Sequence, residues 1–250
     1  MKKLACITGT ASGMGKAILK NFLKNDFLVI VINRTEKESF SAEFTEEINK
    51  TLFPVYGDVS RAETQDTAFL IAKKIGIPIT VLVNNAGTLN RTSFLDEDPE
   101  HAKEVFDVHV MAPFSLSQKM KKHLPDDQTG VIINIGSLRG IIPTGILYSA
   151  SKTALHGMTR GLAQELAPQI RVVCVAPGLT KTEMHAHKTE EELHAMAAGS
   201  MMNTLVEPED IADMVEFLVS DKAKAITGET FSVDNGGTLV RPDIWKKHKT

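Results

Sequence analysis

Tyr148 and Lys152 stand four residues apart in the stretch LYSASK. On a helix that spacing puts two side chains side by side on one face, close enough for an ammonium to act on a phenol. A free phenol has a pKa of about 10 and exchanges its proton poorly at neutral pH. A neighbouring cation stabilises the phenolate and makes the group a usable acid or base. The chemistry open to the pair is proton transfer to or from an oxygen, which contributes about 100- to 10,000-fold in rate where the group is well placed. A Tyr and a Lys four apart also occur on ordinary surface helices, so the rest of the chain has to supply the other parts of a site.

The elements that must hold such a pair follow from the apolar pattern. Short continuous runs rich in Val and Ile recur at 4–8, 27–33, 52–56, 79–85, 130–137, 170–177 and 230–234. Runs without alternation fit strands buried on both faces, as in a parallel sheet covered by helices. Between them, 14–25, 60–75, 99–124, 148–167 and 208–220 carry apolar residues three or four apart, the period of an amphipathic helix. Ser60 with Glu63, and Thr35 with Glu38, have capping-box spacing, and Glu207-Pro208 opens the run before EDIADMVEFL. Strand and helix alternate throughout, which predicts an α/β fold: a doubly wound parallel sheet with helices on both faces and right-handed crossovers. No repeat, low-complexity stretch or linker interrupts 1–250, so a single domain is expected. The segment 182–206 breaks the rhythm. It is helical in composition and follows a strand end, where an open α/β sheet has its ligand crevice, so a substrate lid is expected there.

Composition narrows the class. Of 250 residues, 42% are hydrophobic and 24% charged, ordinary values for a core-forming globular chain. A formal net charge of -3 leaves no basic footprint for nucleic acid, and no nucleic-acid partner is expected. Cys6 and Cys174 lie inside apolar runs and read as small buried hydrophobes in a reducing compartment. The apolar run in MKKLACITGT is too short for a signal peptide and none elsewhere is long enough for a membrane helix, so a soluble, cytoplasmic protein without a membrane partner is expected. His185, His187 and His194 fall in no metal-ligand spacing, and no metal is expected.

After the first strand comes TGTASGMG, Thr8 to Gly15. Glycines 9, 13 and 15 let the backbone turn tightly and approach a pyrophosphate, while a helix beginning near Met14 offers unpaired N–H groups and its positive dipole end. At the end of the second strand a carboxylate would bind a ribose 2′-hydroxyl and mark NAD. This chain has Asn33 and Arg34, and Arg34 can pair with a 2′-phosphate, so NADP(H) is favoured over NAD(H).

TGTASGMG, GDVS (57–60), NNAG (84–87), NIGS (134–137), YSASK (148–152), PGLTKT (177–182) and ITGETFSVDNGG (226–237) occur in an order and spacing that resemble the short-chain dehydrogenase/reductase family across essentially the whole chain. The resemblance implies a Rossmann-like fold and an oxidoreductase that moves hydride between a nicotinamide cofactor and a small-molecule carbonyl or alcohol. In that family pattern Tyr148 is the proton donor, Lys152 its electrostatic partner and a ligand of the nicotinamide ribose, and Ser137 the hydrogen-bond donor to the reacting oxygen. Cofactor contacts are implied for Gly9, Ser12, Gly13, Met14, Gly15, Asn33, Arg34, Asp58, Val59, Asn85, Ala86, Gly87, Tyr148, Lys152, Pro177, Gly178, Thr180 and Thr182, with Asp58 on the adenine. A homo-oligomer, tetramer or dimer, is implied on the helices near 99–124 and 148–167, whose Val105, Phe106, Val108, Val110 and Met111 exceed the needs of one apolar face.

Two departures from the pattern matter. His109 stands where the family usually has an Asn whose surroundings hold a water serving the lysine, so a relay through its imidazole is one expectation and a helix contact the other. The loop LRGIIPTGIL between Ser137 and Tyr148 is about two residues shorter than is usual, so its substrate contacts cannot be copied. Reduction of 3-oxoacyl thioesters is one candidate activity; the basic residue that carrier-protein reductases often place before the strand at 170–177 is Pro168 here. A nucleotide-sensing binding protein of the same fold with little turnover is the alternative.

Overall fold

The seven apolar runs form seven strands: β1 (Leu4–Thr8), β2 (Leu28–Asn33), β3 (Leu52–Tyr56), β4 (Ile79–Asn84), β5 (Gly130–Ile135), β6 (Ile170–Pro177) and β7 (Thr230–Val233). The computed structural model describes residues 2–88, 98–183 and 188–239. The strands pair in parallel in the order β3-β2-β1-β4-β5-β6-β7. β1 and β2 are buried at every residue, which explains why neither alternates polar with apolar. Successive side chains point to opposite faces. Ala5, Ile7, Val29 and Val31 meet α1 (Gly13–Lys24) and α8 (Pro208–Val219) through Ile18, Phe22, Ile211 and Val215. Cys6, Leu28, Ile30 and Ile32 belong to the opposite layer with α3 (Ala62–Ile75), α5 (Ala112–His123) and α6 (Leu147–Leu166), through Phe69, Leu116, Met120 and Leu166.

Two expected capping boxes are absent. Ser60 turns its hydroxyl back to Asp58 (2.7 Å), and α3 starts behind Arg61 with no side-chain cap. Thr35 lies outside α2 (Glu38–Glu43), which is preceded by Lys37; Glu36 accepts the Ser41 hydroxyl instead. Glu207 does form a reciprocal box with Asp210, and Pro208 follows it in the first turn of α8, where its missing N–H costs nothing. The expected helix 99–124 is divided into α4 (Pro99–Phe106), a π-helical turn (Asp107–Met111) and α5. Such a turn accommodates an extra residue in the helical ladder and is often found at functional sites. Here it turns His109 inward.

Beyond β6 the chain makes an excursion that closes on itself. Thr180 and Val206 form a parallel bridge, with Lys181 N–H on the Val206 carbonyl (2.8 Å) and Val206 N–H on the Leu179 carbonyl (3.0 Å). Inside the excursion α7 (Glu190–Ala197) is capped by a Thr189–Glu192 box. In the middle of the sheet the Asn84 amide donates to Asn134 Oδ1 (2.8 Å), and the Asn134 amide donates to Thr159 Oγ1 of α6 (2.9 Å). No helix among the described residues is long and apolar enough to cross a membrane.

Candidate active site

All seven strands run the same way, so the residues following β1 to β6 share one edge. The strand order reverses direction between β1 and β4, and in open α/β sheets the crevice at such a switch point takes the ligand. The segments picked out by sequence meet there.

On the β1 side the glycine-rich turn is locked to the loop after β4. Gly9 adopts φ +72, and a Cβ on it would lie 2.9 Å from the Ala86 Cα. A Cβ on Gly15 would collide with the Gly9 carbonyl oxygen. Asn85 donates its amide to the Thr8 and Gly9 carbonyls (3.0 and 2.7 Å), and Thr8 Oγ1 accepts the N–H groups of Asn85 and Ala86. Asn33 is buried; its Oδ1 accepts the Thr10 N–H (2.7 Å), so its side chain serves the turn rather than facing the crevice. Arg34 beside it is exposed, and its charge helps hold Asp58 below the usual carboxylate range, although burial opposes this and the two hydrogen bonds from Ser60 contribute more. Val59 is buried in the core. α1 opens behind Ser12 with no side-chain cap and no acidic residue in its first turn. α7 and α8, by contrast, have their first N–H groups occupied by capping boxes. An uncapped, acid-free N-terminus behind a glycine turn fits the pyrophosphate of a dinucleotide. Gly13 faces Thr182, Met14 packs on the core, and the buried Thr180 hydroxyl donates to the Gly178 carbonyl just beyond Pro177.

On the other side Ser137 follows β5, and its Oγ accepts the Arg139 N–H (3.1 Å) at the start of a short 3-10 turn, Leu138–Gly140. Tyr148 lies in the first turn of α6 and Lys152 one turn later, as the spacing requires. The Lys152 ammonium is 5.8 Å from the Tyr148 ring centre and donates to the Ile135 carbonyl (2.9 Å). The Arg139 guanidinium lies over the same ring at 5.9 Å. Burial raises the Tyr148 phenol above its ordinary pKa, with the Ser137 hydrogen bond and the Arg139 charge pulling the other way. The Lys152 ammonium thus lies beside the phenol while bonded to a backbone carbonyl, and Ser137 and Arg139 join it as groups that favour phenolate. Burial also brings Lys152 down to about 8.

His109 is spoken for at both nitrogens. Nε2 accepts the Thr88 N–H (2.9 Å), so the ring proton sits on Nδ1, which donates to Ser151 Oγ (2.8 Å). Ser151 donates in turn to the Tyr148 carbonyl (2.8 Å), and the imidazole packs edge-on against the Tyr148 ring at 5.5 Å. Neither nitrogen is left for a water serving Lys152. The ring braces the start of α6 and the loop carrying Gly87, and burial with the Lys152 charge keeps it neutral, its pKa lowered to about 3.

Two residues escaped sequence reasoning. His156, four after Lys152 on the same helix face, lies against Gly136 and Gly140 with Nε2 3.5 Å from the Ser137 N–H. Its pKa is lowered to about 4 by burial and Lys152, and the repeated four-residue spacing was the available signal. Arg139, two residues after Ser137, had no periodic signal at all. Among the described residues no cluster of His, Cys, Asp and Glu could hold a metal; His185 and His187 lie outside them, and His194 is exposed on α7.

Comparison with known proteins agrees with this geometry. Residues 9–238 match the family profile described as Enoyl-(Acyl carrier protein) reductase. A 3alpha-hydroxysteroid dehydrogenase of Mediterraneibacter gnavus is 36% identical over 93% of this chain and 95% of its own. The 3-oxoacyl-(acyl-carrier-protein) reductase FabG of Rickettsia felis is 34% identical over 95% of this chain and 97% of its own. The solved structure of 4-hydroxyisoleucine dehydrogenase complexed with NADH superposes with a TM-score of 0.88 at 31% identity, covering 96% of this chain and all of that one. In keeping with its parallel sheet and glycine turn, the chain belongs to the short-chain dehydrogenase/reductase family and is an NAD(P)-dependent oxidoreductase acting between carbonyls and alcohols.

Proposed function

We propose that Tyr148 is the general acid of a carbonyl reduction, with Ser137 and Lys152 as its partners and NADP(H) as the preferred cofactor. The observation that carries this reading is the meeting of Ser137, after β5, with Tyr148, in the first turn of α6, where the serine hydroxyl acts on the phenol and the cations Lys152 and Arg139 flank its ring. When bound, the nicotinamide supplies the hydride. Ser137 donates a hydrogen bond to the carbonyl oxygen as charge develops on it, the task of an oxyanion donor. Tyr148 gives that oxygen its proton, and the two cations stabilise the phenolate left behind.

Ser12, Gly13, Met14 and Gly15 at the start of α1 would hold the pyrophosphate. Asp58 and Val59 would border the adenine, Gly87 the nicotinamide end, and Pro177 to Thr182 the far wall of the crevice. Asn85 and Asn33 act through the turn they fasten. NADP(H) is supported by Arg34, exposed at the end of a strand that lacks a carboxylate. The excursion 182–206 serves as a lid within a single cytoplasmic domain. Met111 and Phe114, 52% and 37% exposed, support a homo-oligomer formed on the π turn and α5. The relatives make 3-oxoacyl compounds and hydroxysteroids the first substrates to try. The test is a single-turnover screen in which enzyme, NADPH and a panel of carbonyls are mixed and NADPH absorbance is followed. The expected result is cofactor oxidation with at least one carbonyl. Tight NADPH binding without oxidation across the panel would leave a nucleotide-sensing protein in its place.

A further inference from the structure

The loop between Ser137 and Tyr148 carries one cation over the Tyr148 ring and three large exposed apolar side chains. We infer that the substrate is an apolar molecule carrying a carboxylate, and that Arg139 anchors that carboxylate. The inference rests on the oxidoreductase reading and adds the chemical class of the substrate.

Arg139 has its backbone N–H pinned to Ser137 Oγ, which fixes where the side chain starts. Its guanidinium lies over the Tyr148 ring, at the reacting group itself. It forms no ion pair among the described residues, and the residue is exposed. A guanidinium offers five N–H donors in a fork that matches a carboxylate, and stacking on a ring leaves its edge donors free.

The charge around it points the same way. Among the described residues, the groups acting on Tyr148, Lys152, His109 and His156 are the Arg139 and Lys152 cations, the Ser137 hydroxyl, the Thr88 backbone and the Cys174 thiol; no Asp or Glu is among them. Lys152 therefore adds a second positive charge that no carboxylate among the described residues offsets. Two cations with no described acid beside them favour an anionic ligand and disfavour a cationic one. The remainder of the loop is apolar and open: Ile141, Ile142 and Ile146 are 43%, 38% and 60% exposed. A small polar acid would leave those side chains in water, whereas an apolar body attached to the carboxylate covers them.

The test uses NADPH-loaded enzyme and isothermal titration with decanoate and with decanol, which share a chain and differ in the charged head. Decanoate is expected to bind about 10- to 100-fold more tightly, the range for a charge-assisted contact. Arg139→Gln should abolish that advantage while leaving decanol affinity unchanged, and Arg139→Lys should restore part of it. Matching thermal melts show that the variants fold. Equal affinity for the two probes in wild type, or an equal weakening of both by Arg139→Gln, would overturn the inference. Because the readout is binding, either result stands apart from the NADPH oxidation screen, which alone decides whether the chain is a reductase.

Discussion

The glycine-rich turn and the Tyr148 cluster sit on the same edge of the same sheet, yet they are built in opposite ways. In the turn, Thr8, Thr10, Asn33 and Asn85 bond one another or the backbone. In the cluster a half-buried phenol and a buried ammonium sit at positions that shift both away from their ordinary pKa, and no carboxylate among the described residues balances the charge. The turn uses its polar groups to hold shape. The cluster accepts an energetic cost to keep groups available for proton transfer, a pattern associated with functional sites. Substitutions in the turn should therefore move stability and cofactor binding, and substitutions in the cluster should move rate.

The sharpest break between the two comes from Tyr148→Phe. It removes the proton donor and keeps the ring against His109, so turnover should fall by about 100- to 10,000-fold with the melting temperature close to wild type. Steady-state kinetics beside a thermal melt checks both halves, and retention of most kcat would erase the distinction.

Asn85→Ala tests the other side. It strands the Thr8 and Gly9 carbonyls, and urea unfolding should show a loss of about 2 to 3 kcal/mol. Residual turnover at saturating cofactor should stay far above that of Tyr148→Phe.

Arg34→Ala belongs to neither group, since Arg34 is exposed and outside the turn network. It should weaken NADPH by about 1.5 to 3 kcal/mol, roughly 10- to 100-fold, and NADH hardly at all. Equal weakening in a fluorescence titration would remove Arg34 as the discriminator.

Lys152→Met asks whether the cluster is indeed held at a cost. The folded pKa of about 8 lies below 10.5, so between these values the unfolded chain binds more protons and stability rises with pH. Below pH 8 the buried charge works against folding. The substitution should raise stability at pH 7 by about 1 to 3 kcal/mol, after the lost bond to the Ile135 carbonyl is allowed for, while turnover collapses. A stability loss at pH 7 would contradict this.

The smallest effect is expected from His109→Asn. Folded His109 has a pKa of about 3 against 6.5, so its contribution is complete above pH 6.5 and declines as the unfolded chain takes up the proton on acidification. His156 adds a similar decline, facing the same Lys152. By pH 5.5 the variant should have lost about 1 kcal/mol less than wild type relative to neutral pH, read from denaturation curves at the two pH values. Parallel declines would show that His109 is not held neutral by its surroundings.

The sheet was legible because parallel strands covered on both faces have to be continuous runs of branched residues, and LVIVIN or GVIINI admits few other readings. The site was legible where backbone geometry or helical spacing dictates residue type: Gly9 and Gly15 at close approaches, Tyr148 and Lys152 one turn apart. Short polar side chains were harder to read, since each has several partners within reach and only the fold chooses. Ser60 prefers Asp58 to the helix end, Asn33 prefers Thr10 to the crevice, and His109 divides itself between Thr88 and Ser151. Arg139 was hidden for a different reason: only the folded path of the loop brings it over Tyr148.

The Asn84–Asn134 pair has a consequence for how the sheet assembles. Apart from Thr80 and Gly130, β4 and β5 are otherwise built of branched apolar residues, so sliding one along the other by two residues would exchange one such side chain for another at little loss. Asn84 and Asn134 are opposite one another in the native ladder, and the Asn134 amide reaches on to Thr159. A slipped pairing would separate the two amides and bury each against hydrocarbon, at about 1 to 3 kcal/mol per stranded group. The pair therefore works as a key for strand alignment, rejecting misassembled sheets that hydrophobic burial alone would tolerate.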